Sequence, residues 1–414
     1  MAMNRIALQV IAILIVALTL VNCAEKPCLF GSAATERQPL LRAPRAATTD
    51  VCPTNTGGGG GGGGGNGTCS SSLTPNEVLF SLTSTGSVQS LAVSTGATPL
   101  ALMCTTAAAP GAEIAVSANK FLYVLNGTTM KINGFVIGHA KPVTLTAIPN
   151  QPFPISANFG SFFEMRPDPL GRFLYITDTS ASKVHVFIID QGTGELTEAQ
   201  NSPFTAANAL FTAVTPSGQF VYVTDPNDGL IFIFTIDANG QLAATLNSPF
   251  VVPSHLTIDF PIDIVMHSSG KFLITSNFVS VASYTIDAVT GDLADAPNSP
   301  YSTAGTLPVA VQPQFLAIDD TNSFVYVTGR SGQGIIGYSI DQISGTLTLI
   351  STNSFGSTTN ADAIVADPAA AQVFVQISGA INTFTIDATT GSLIAPTGSS
   401  KFNTLSNMVI ANVQ

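Results

Sequence analysis

From about position 76 onward, apolar residues come in short runs separated by Gly, Pro, Asn and Asp. Leu210–Thr215, Phe220–Asp225 and Leu230–Asp237 are three such runs, divided by Pro216–Gln219 and by Pro226–Gly229. A turn at Ala238–Gly240 leads to a fourth run ending at Asn247–Phe250. The runs are rich in Val, Ile, Phe, Tyr and Thr, and their boundaries are turn formers, so the segment predicts four antiparallel strands and no helix. Its third run is apolar at odd and even positions alike, which predicts a sheet covered on both faces.

The unit repeats. Val184–Leu196, Ile231–Leu242, Ala282–Leu293, Ile336–Leu347 and Asn382–Leu393 share a strand, an Ile-Asp step and a Gly-x-Leu ending. Their aspartates, Asp190, Asp237, Asp287, Asp341 and Asp387, recur at intervals of 47, 50, 54 and 46 residues. A period of roughly 40–50 residues built from short strands is the signature of propeller blades. An Asp followed by a Gly is a turn device: the carboxylate caps backbone N–H groups and Gly takes the positive φ. The five aspartates therefore read as structural.

Whole units begin near Ala112, Phe162, Leu210, Ile262, Gln314 and Ala361. Before them, Glu77–Leu82, Val88–Val93 and Ala97–Leu102 match the second to fourth strands of a unit lacking its first; Met408–Val413 matches an orphan first strand. Joining the fragments makes a seventh blade and removes the open sheet edges. The expectation is an all-β, seven-bladed β-propeller of four-stranded blades over residues 76–414, closed by the C-terminal strand.

Gly171–Asp178, Gly218–Asp225 and Asn322–Thr328, each followed by a strand and the Ile-Asp turn, resemble the YVTN-type propeller repeat, and through it the seven-bladed lactonase-like propellers. The resemblance implies the fold, and relatives that are sugar-lactone hydrolases or muconate-type cyclases with His, Arg and carboxylate groups around the channel mouth. This chain has no paired-histidine segment; His139, His185, His255 and His267 are scattered.

The first 75 residues follow another pattern. Arg5 precedes the apolar run Val10–Leu18, the length of a signal-peptide core and short of a membrane span. Leu20–Cys23 resembles a bacterial lipobox, which implies lipidation at Cys23, with simple signal cleavage as the alternative. Residues 24–75 contain Pro27, Pro39, Pro44, Pro53 and nine consecutive glycines, Gly57–Gly65. Such a segment buries no core and reads as a disordered tether. Setting Cys23 aside leaves Cys28, Cys52, Cys69 and Cys104. An even number in an exported chain suggests disulfides, with Cys52–Cys69 and Cys28–Cys104 as one of three pairings.

The chain carries 14 Lys+Arg against 25 Asp+Glu, a net charge of −11, which argues against nucleic acid and anionic lipid as partners. No Cys-x-x-Cys, phosphate loop or dinucleotide fingerprint occurs, so neither metal nor cofactor is expected. Aligning the units on their first turn puts Glu164, Phe211, Asp263 and Phe315 at one inner-strand position, with Arg166 two residues beyond Glu164. Since sister units hold Phe there, the fold does not require a carboxylate. Glu164, Arg166 and Asp263, with His255 and Arg330 at the rim, form the candidate ligand site. The leading expectation is an exported, lipid-anchored, monomeric scaffold that binds a protein, glycan or small molecule without chemistry, its only membrane link being the anchor. The alternative is a lactonase-like hydrolase or cyclase acting at the channel mouth.

Overall fold

The computed structural model describes residues 75–413, apart from 84–85, 95–99, 109–112, 128, 141–142, 157–161, 254–258, 304–311, 320, 330–333, 354–360, 368–370, 378–379, 395–398 and 402–403. All regular structure among the described residues is β, arranged as seven antiparallel sheets. Each sheet is a blade. In blade three the strands run Phe162–Pro167, Phe173–Asp178, Lys183–Ile189 and Leu196–Glu198 from the inside outward.

Closure is as the sequence implies. Thr404–Asn412 pairs with Glu77–Thr83, aligning Val78 with Ala411 and Phe80 with Val409, so the last strand is the innermost of blade one. Innermost strands touch in a ring, from Thr404–Asn412 to Glu113–Ser117, Phe162–Pro167, Thr212–Val214, Pro261–Met266, Pro313–Ile318, Ala361–Ala366 and back. The second strand of each blade is the one buried along its whole length, as in Phe121–Asn126 and Phe220–Asp225. The third is mixed, for Leu230–Ile236 exposes Thr235. Both faces of the second strand meet neighbouring sheets, which is why its residues lack polar alternation.

The outer strand is broken in most blades. In blade three Leu196–Glu198 and Phe204–Thr205 both pair with Lys183–Ile189, and the Ser202-Pro203 step lies between them. Where the outer strand breaks, an N–H of the third strand loses its strand acceptor, and the side chain before the proline supplies one. The Ser202 hydroxyl accepts the Val186 N–H at 3.0 Å; Ser248 and Ser299 do the same for Ile233 and Ser283, and Gln151 for Gly134.

The Asp–Gly turns also join the blades. The Asp287 carboxylate accepts the N–H groups of Val289 and Thr290 at 2.9 and 2.8 Å, and these bonds hold it below the usual carboxylate range. Gly291 follows at φ 77° and lies on Phe220 of the preceding blade, where an added Cβ would meet Cδ1 at 2.5 Å. The Gly291 carbonyl accepts the Tyr222 hydroxyl of that same blade at 2.8 Å. Tyr123 reaches Gly194, and Tyr326 reaches Gly391, at the same distance. Between blades five and six Ser283 replaces tyrosine and donates to the Gly345 carbonyl. Blade four has the short turn Asp237–Gly240, one residue less, and in blade three the buried Tyr175 hydroxyl has no partner.

Candidate functional site

Four neighbouring inner strands enter the sheet through the same irregularity. In blade three Asp178 pairs with Phe162 and Ile176 with Met165, so Phe163 and Glu164 together oppose Thr177. This is a β-bulge, which re-aims side chains that strict alternation would separate. The Thr177 hydroxyl accepts the Glu164 N–H at 3.0 Å and donates to the Leu210 carbonyl of blade four at 2.8 Å. Thr224 repeats both bonds with Phe211 and Ile262, and Ser276 with Asp263 and Gln314. Thr328 holds the Phe315 N–H in blade six. One hydroxyl per blade thus fixes the bulge, and in blades three to five it also ties the bulge to the next blade.

Strand pairing and the bulge bonds place Glu113, Glu164, Phe211, Asp263, Phe315 and Ala363 at one level of the ring. Glu113 was missed by reasoning from the first turn. Its turn, Ser117 to Phe121, is one residue shorter than Asp168 to Phe173, which slides the alignment; the pairing of Ala115 with Tyr123 restores it.

Glu164 and Arg166 form an ion pair. Arg166 donates through Nε at 2.8 Å and through Nη2 to Glu164 Oε1, while Oε2 accepts the Thr212 N–H at 2.6 Å and its hydroxyl at 2.8 Å. Both Glu164 oxygens are therefore engaged. The Arg166 side chain keeps 38% of its surface exposed against 7% for Glu164, so the guanidinium is the member a ligand can reach. Burial works against the Arg166 charge, but Glu164, Asp263 and Glu113 outweigh it and hold the group firmly protonated.

Asp263 is buried on blade five. Its Oδ1 accepts the Ile264 N–H at 2.7 Å and its Oδ2 the Leu316 N–H of blade six at 2.8 Å. Loss of hydration pushes its pKa up to about 7, against the opposing pull of Arg166 and of the backbone donors. Beside these charges lies an aromatic wall. Phe163 meets Phe211 edge-on at 4.9 Å, and Phe211 meets Phe315 at 6.2 Å across the strand that carries Asp263.

The structure brings Glu164, Arg166 and Asp263 into electrostatic reach of one another. His255 and Arg330 lie outside the described residues, as do Cys23, Cys28, Cys52 and Cys69. Cys104 is buried and disulfide-bonded. Other polar residues of the same loops are spent locally. Asp259 accepts the Val279 N–H and the Ser280 hydroxyl, Asp225 caps Asn227 and Asp228, and Lys183 donates to Thr205.

A second cluster has the residue types of a hydrolase triad. His185 Nδ1 lies 2.8 Å from Glu198 Oε1, beside a shallow groove lined by Pro154, Ser156 and Leu196. Its connectivity is wrong for nucleophilic catalysis, because Ser156 and Ser202 both donate to Glu198 rather than to the imidazole. Burial raises the Glu198 pKa, but the bonds from His185, Ser202 and Ser156 outweigh it and hold the carboxylate ionised. Among the described residues, no group of three or more His, Cys, Asp or Glu side chains is placed to hold a metal ion.

A family model described as lactonase, seven-bladed β-propeller, matches residues 79–213. Among solved structures, a candidate 6-phosphogluconolactonase of Bacteroides fragilis gives a TM-score of 0.68 at 17% identity, over 82% of this chain and 99% of that one. The periplasmic gluconolactonase of Pseudomonas aeruginosa gives 0.66 at 16% identity, over 82% and 99%. A candidate 6-phosphogluconolactonase of Bacteroides uniformis gives 0.68 at 15%, over 81% and 100%. No curated protein sequence matches the chain. At such identities the likeness is one of fold.

Proposed function

We propose, from the premise that this chain is a seven-bladed propeller of the lactonase-like type, that it hydrolyses a small lactone at the channel mouth. This is the alternative raised by the sequence, and the family match and the structural neighbours support it better than the reading as a binding scaffold without chemistry. One observation carries it. A reachable guanidinium is anchored by a carboxylate, and within its electrostatic reach, on the inner strand of blade five, stands a second carboxyl whose pKa has risen to about 7.

Ester hydrolysis needs charge stabilisation on the carbonyl oxygen and a base for water. A guanidinium has five N–H groups, and bonding Glu164 through Nε and Nη2 leaves others to meet the lactone carbonyl. Asp263, its pKa pushed up to about 7 by burial, takes a proton from water in its ionised form as the water oxygen bonds to the carbonyl carbon. The ring C–O bond then breaks, and the proton passes from Asp263 to the departing alkoxide, leaving a hydroxy acid. Glu164 positions Arg166 through the ion pair and is given no part in proton transfer.

The test is lactone hydrolysis followed by acid release, corrected for the uncatalysed rate. Arg166→Ala and Asp263→Asn are each expected to lower kcat/KM by about 10²-fold or more. A parent protein without turnover, or an Asp263→Asn variant with full turnover, refutes the reading; binding without turnover returns the scaffold. Export and lipidation at Cys23 belong to the same proposal. They rest on the apolar run and the lipobox-like Leu20–Cys23, and mass spectrometry of the mature N-terminus tests them.

A further inference from the structure

The ring level that holds the candidate site is divided by chemistry. Blades two, three and five present Glu113, Glu164 and Asp263, whereas blades four and six present Phe211 and Phe315 at the same position. Across the seven innermost strands the only cationic side chain is Arg166. Three carboxylates therefore face one guanidinium, in a chain whose net charge is already −11. A phosphate brought beside Arg166 meets more negative charge than positive, and the surrounding field opposes its approach.

The aromatic side is built to receive something. The bulge turns Phe163 to the same side as Glu164, and Phe163 remains 39% exposed while its edge rests on Phe211. The residues at the same bulge position in blades four and five, Leu210 and Ile262, are buried. Blade three alone among these three leaves a large apolar side chain exposed at this position, on the inner strand that also carries Arg166. Exposed aromatic surface at a recess flanked by polar groups marks where a ligand sets its own apolar face.

We propose that the substrate is an uncharged lactone bearing a hydrocarbon arm, that the arm packs on Phe163, and that the acidic ring discriminates against phosphorylated lactones. This rests on the lactonase reading and narrows it to a substrate class. Arg166 takes the carbonyl, Phe163 the arm, and the carboxylates exclude anionic competitors. Phe163 is thus the residue that sets specificity.

The experiment compares δ-decalactone, glucono-δ-lactone and its 6-phosphate with the full-length protein at low ionic strength. The expected kcat/KM for δ-decalactone exceeds that for the 6-phosphate by at least tenfold, and added salt raises only the latter by screening the repulsion. Phe163→Ser is expected to raise KM about tenfold for δ-decalactone relative to glucono-δ-lactone, with Phe163→Leu in between and with thermal unfolding confirming that each variant folds. Equal kcat/KM for the 6-phosphate and the neutral lactones overturns the proposal. So does loss of 6-phosphate turnover in Arg330→Ala alone, which would show that the phosphate is recognised rather than excluded. Should no lactone turn over, the lactonase reading fails by itself, and binding of 6-pentylpiperidin-2-one, the lactam of δ-decalactone, still decides the site. A thermal shift in the parent that is lost in Phe163→Ser upholds the preference; an equal shift in both refutes it.

Discussion

Gly291→Ala separates two roles that a turn glycine can have. At φ 77° an L-residue is strained by about 1–2 kcal/mol. The new methyl would also stand 2.5, 2.7 and 2.9 Å from Phe220 Cδ1, Cε1 and Cγ, a ring held inside the preceding blade. Forcing a methyl into packed core costs about 1–3 kcal/mol more, giving a total of about 2–5 kcal/mol. For about 340 folded residues, unfolding entropy of about 2.1 cal/mol/K per residue converts this into a Tm loss of about 3–7 °C. Gly229 is the matched control, with φ 68° and no atom within 4 Å of a would-be Cβ. Gly229→Ala should bear the backbone strain alone and lose about 1.5–3 °C. Differential scanning calorimetry of both variants decides the matter. Equal losses would mean that Gly291 is only a turn residue and that the blade-to-blade contact contributes nothing.

Further outcomes follow from the same geometry. Tyr222→Phe leaves the Gly291 carbonyl without its donor and should cost about 1–3 kcal/mol in urea unfolding, whereas Tyr175→Phe removes a hydroxyl without a partner and should be neutral or stabilising. Because the folded-state pKa of Asp263 is raised, the unfolded chain gives up its proton first; stability should fall as pH rises from about 4 to about 7, and Asp263→Asn should flatten that stretch of the profile. In the parent, kcat should rise with pH to a plateau above about 7 as the Asp263 base ionises; a flat profile excludes Asp263 from proton transfer. Deleting residues 404–414 exposes the paired edge of Glu77–Thr83, and gel filtration should show aggregation rather than a monomer.

The ring was legible in the chain because every blade repeats the same demands. Strand lengths, the Asp–Gly turns and the two complementary end fragments all follow from local chemistry. What the turns do between blades was not legible, since the contact of Gly291 with Phe220 joins residues 71 positions apart with no local signal. The site was half visible. Glu164, Arg166 and Asp263 stood out because sister units hold Phe there, and the structure does bring them together. Glu113 was hidden by a one-residue shortening of its turn, and the bulge that swings Phe163 beside Glu164 breaks the alternation from which strand faces are read. The serine and threonine hydroxyls that hold the bulges look, in sequence, like any strand hydroxyls.

The bulge separates holding the sheet together from choosing what the channel displays. Backbone N–H groups at the ring level are satisfied by the Thr177, Thr224, Ser276 and Thr328 hydroxyls, whatever side chain they carry. These four hydroxyl bonds are the same whether the position holds phenylalanine or a carboxylate, although Glu164 and Asp263 also accept a backbone N–H of the next blade. The channel wall is in effect a row of interchangeable sockets on an invariant frame.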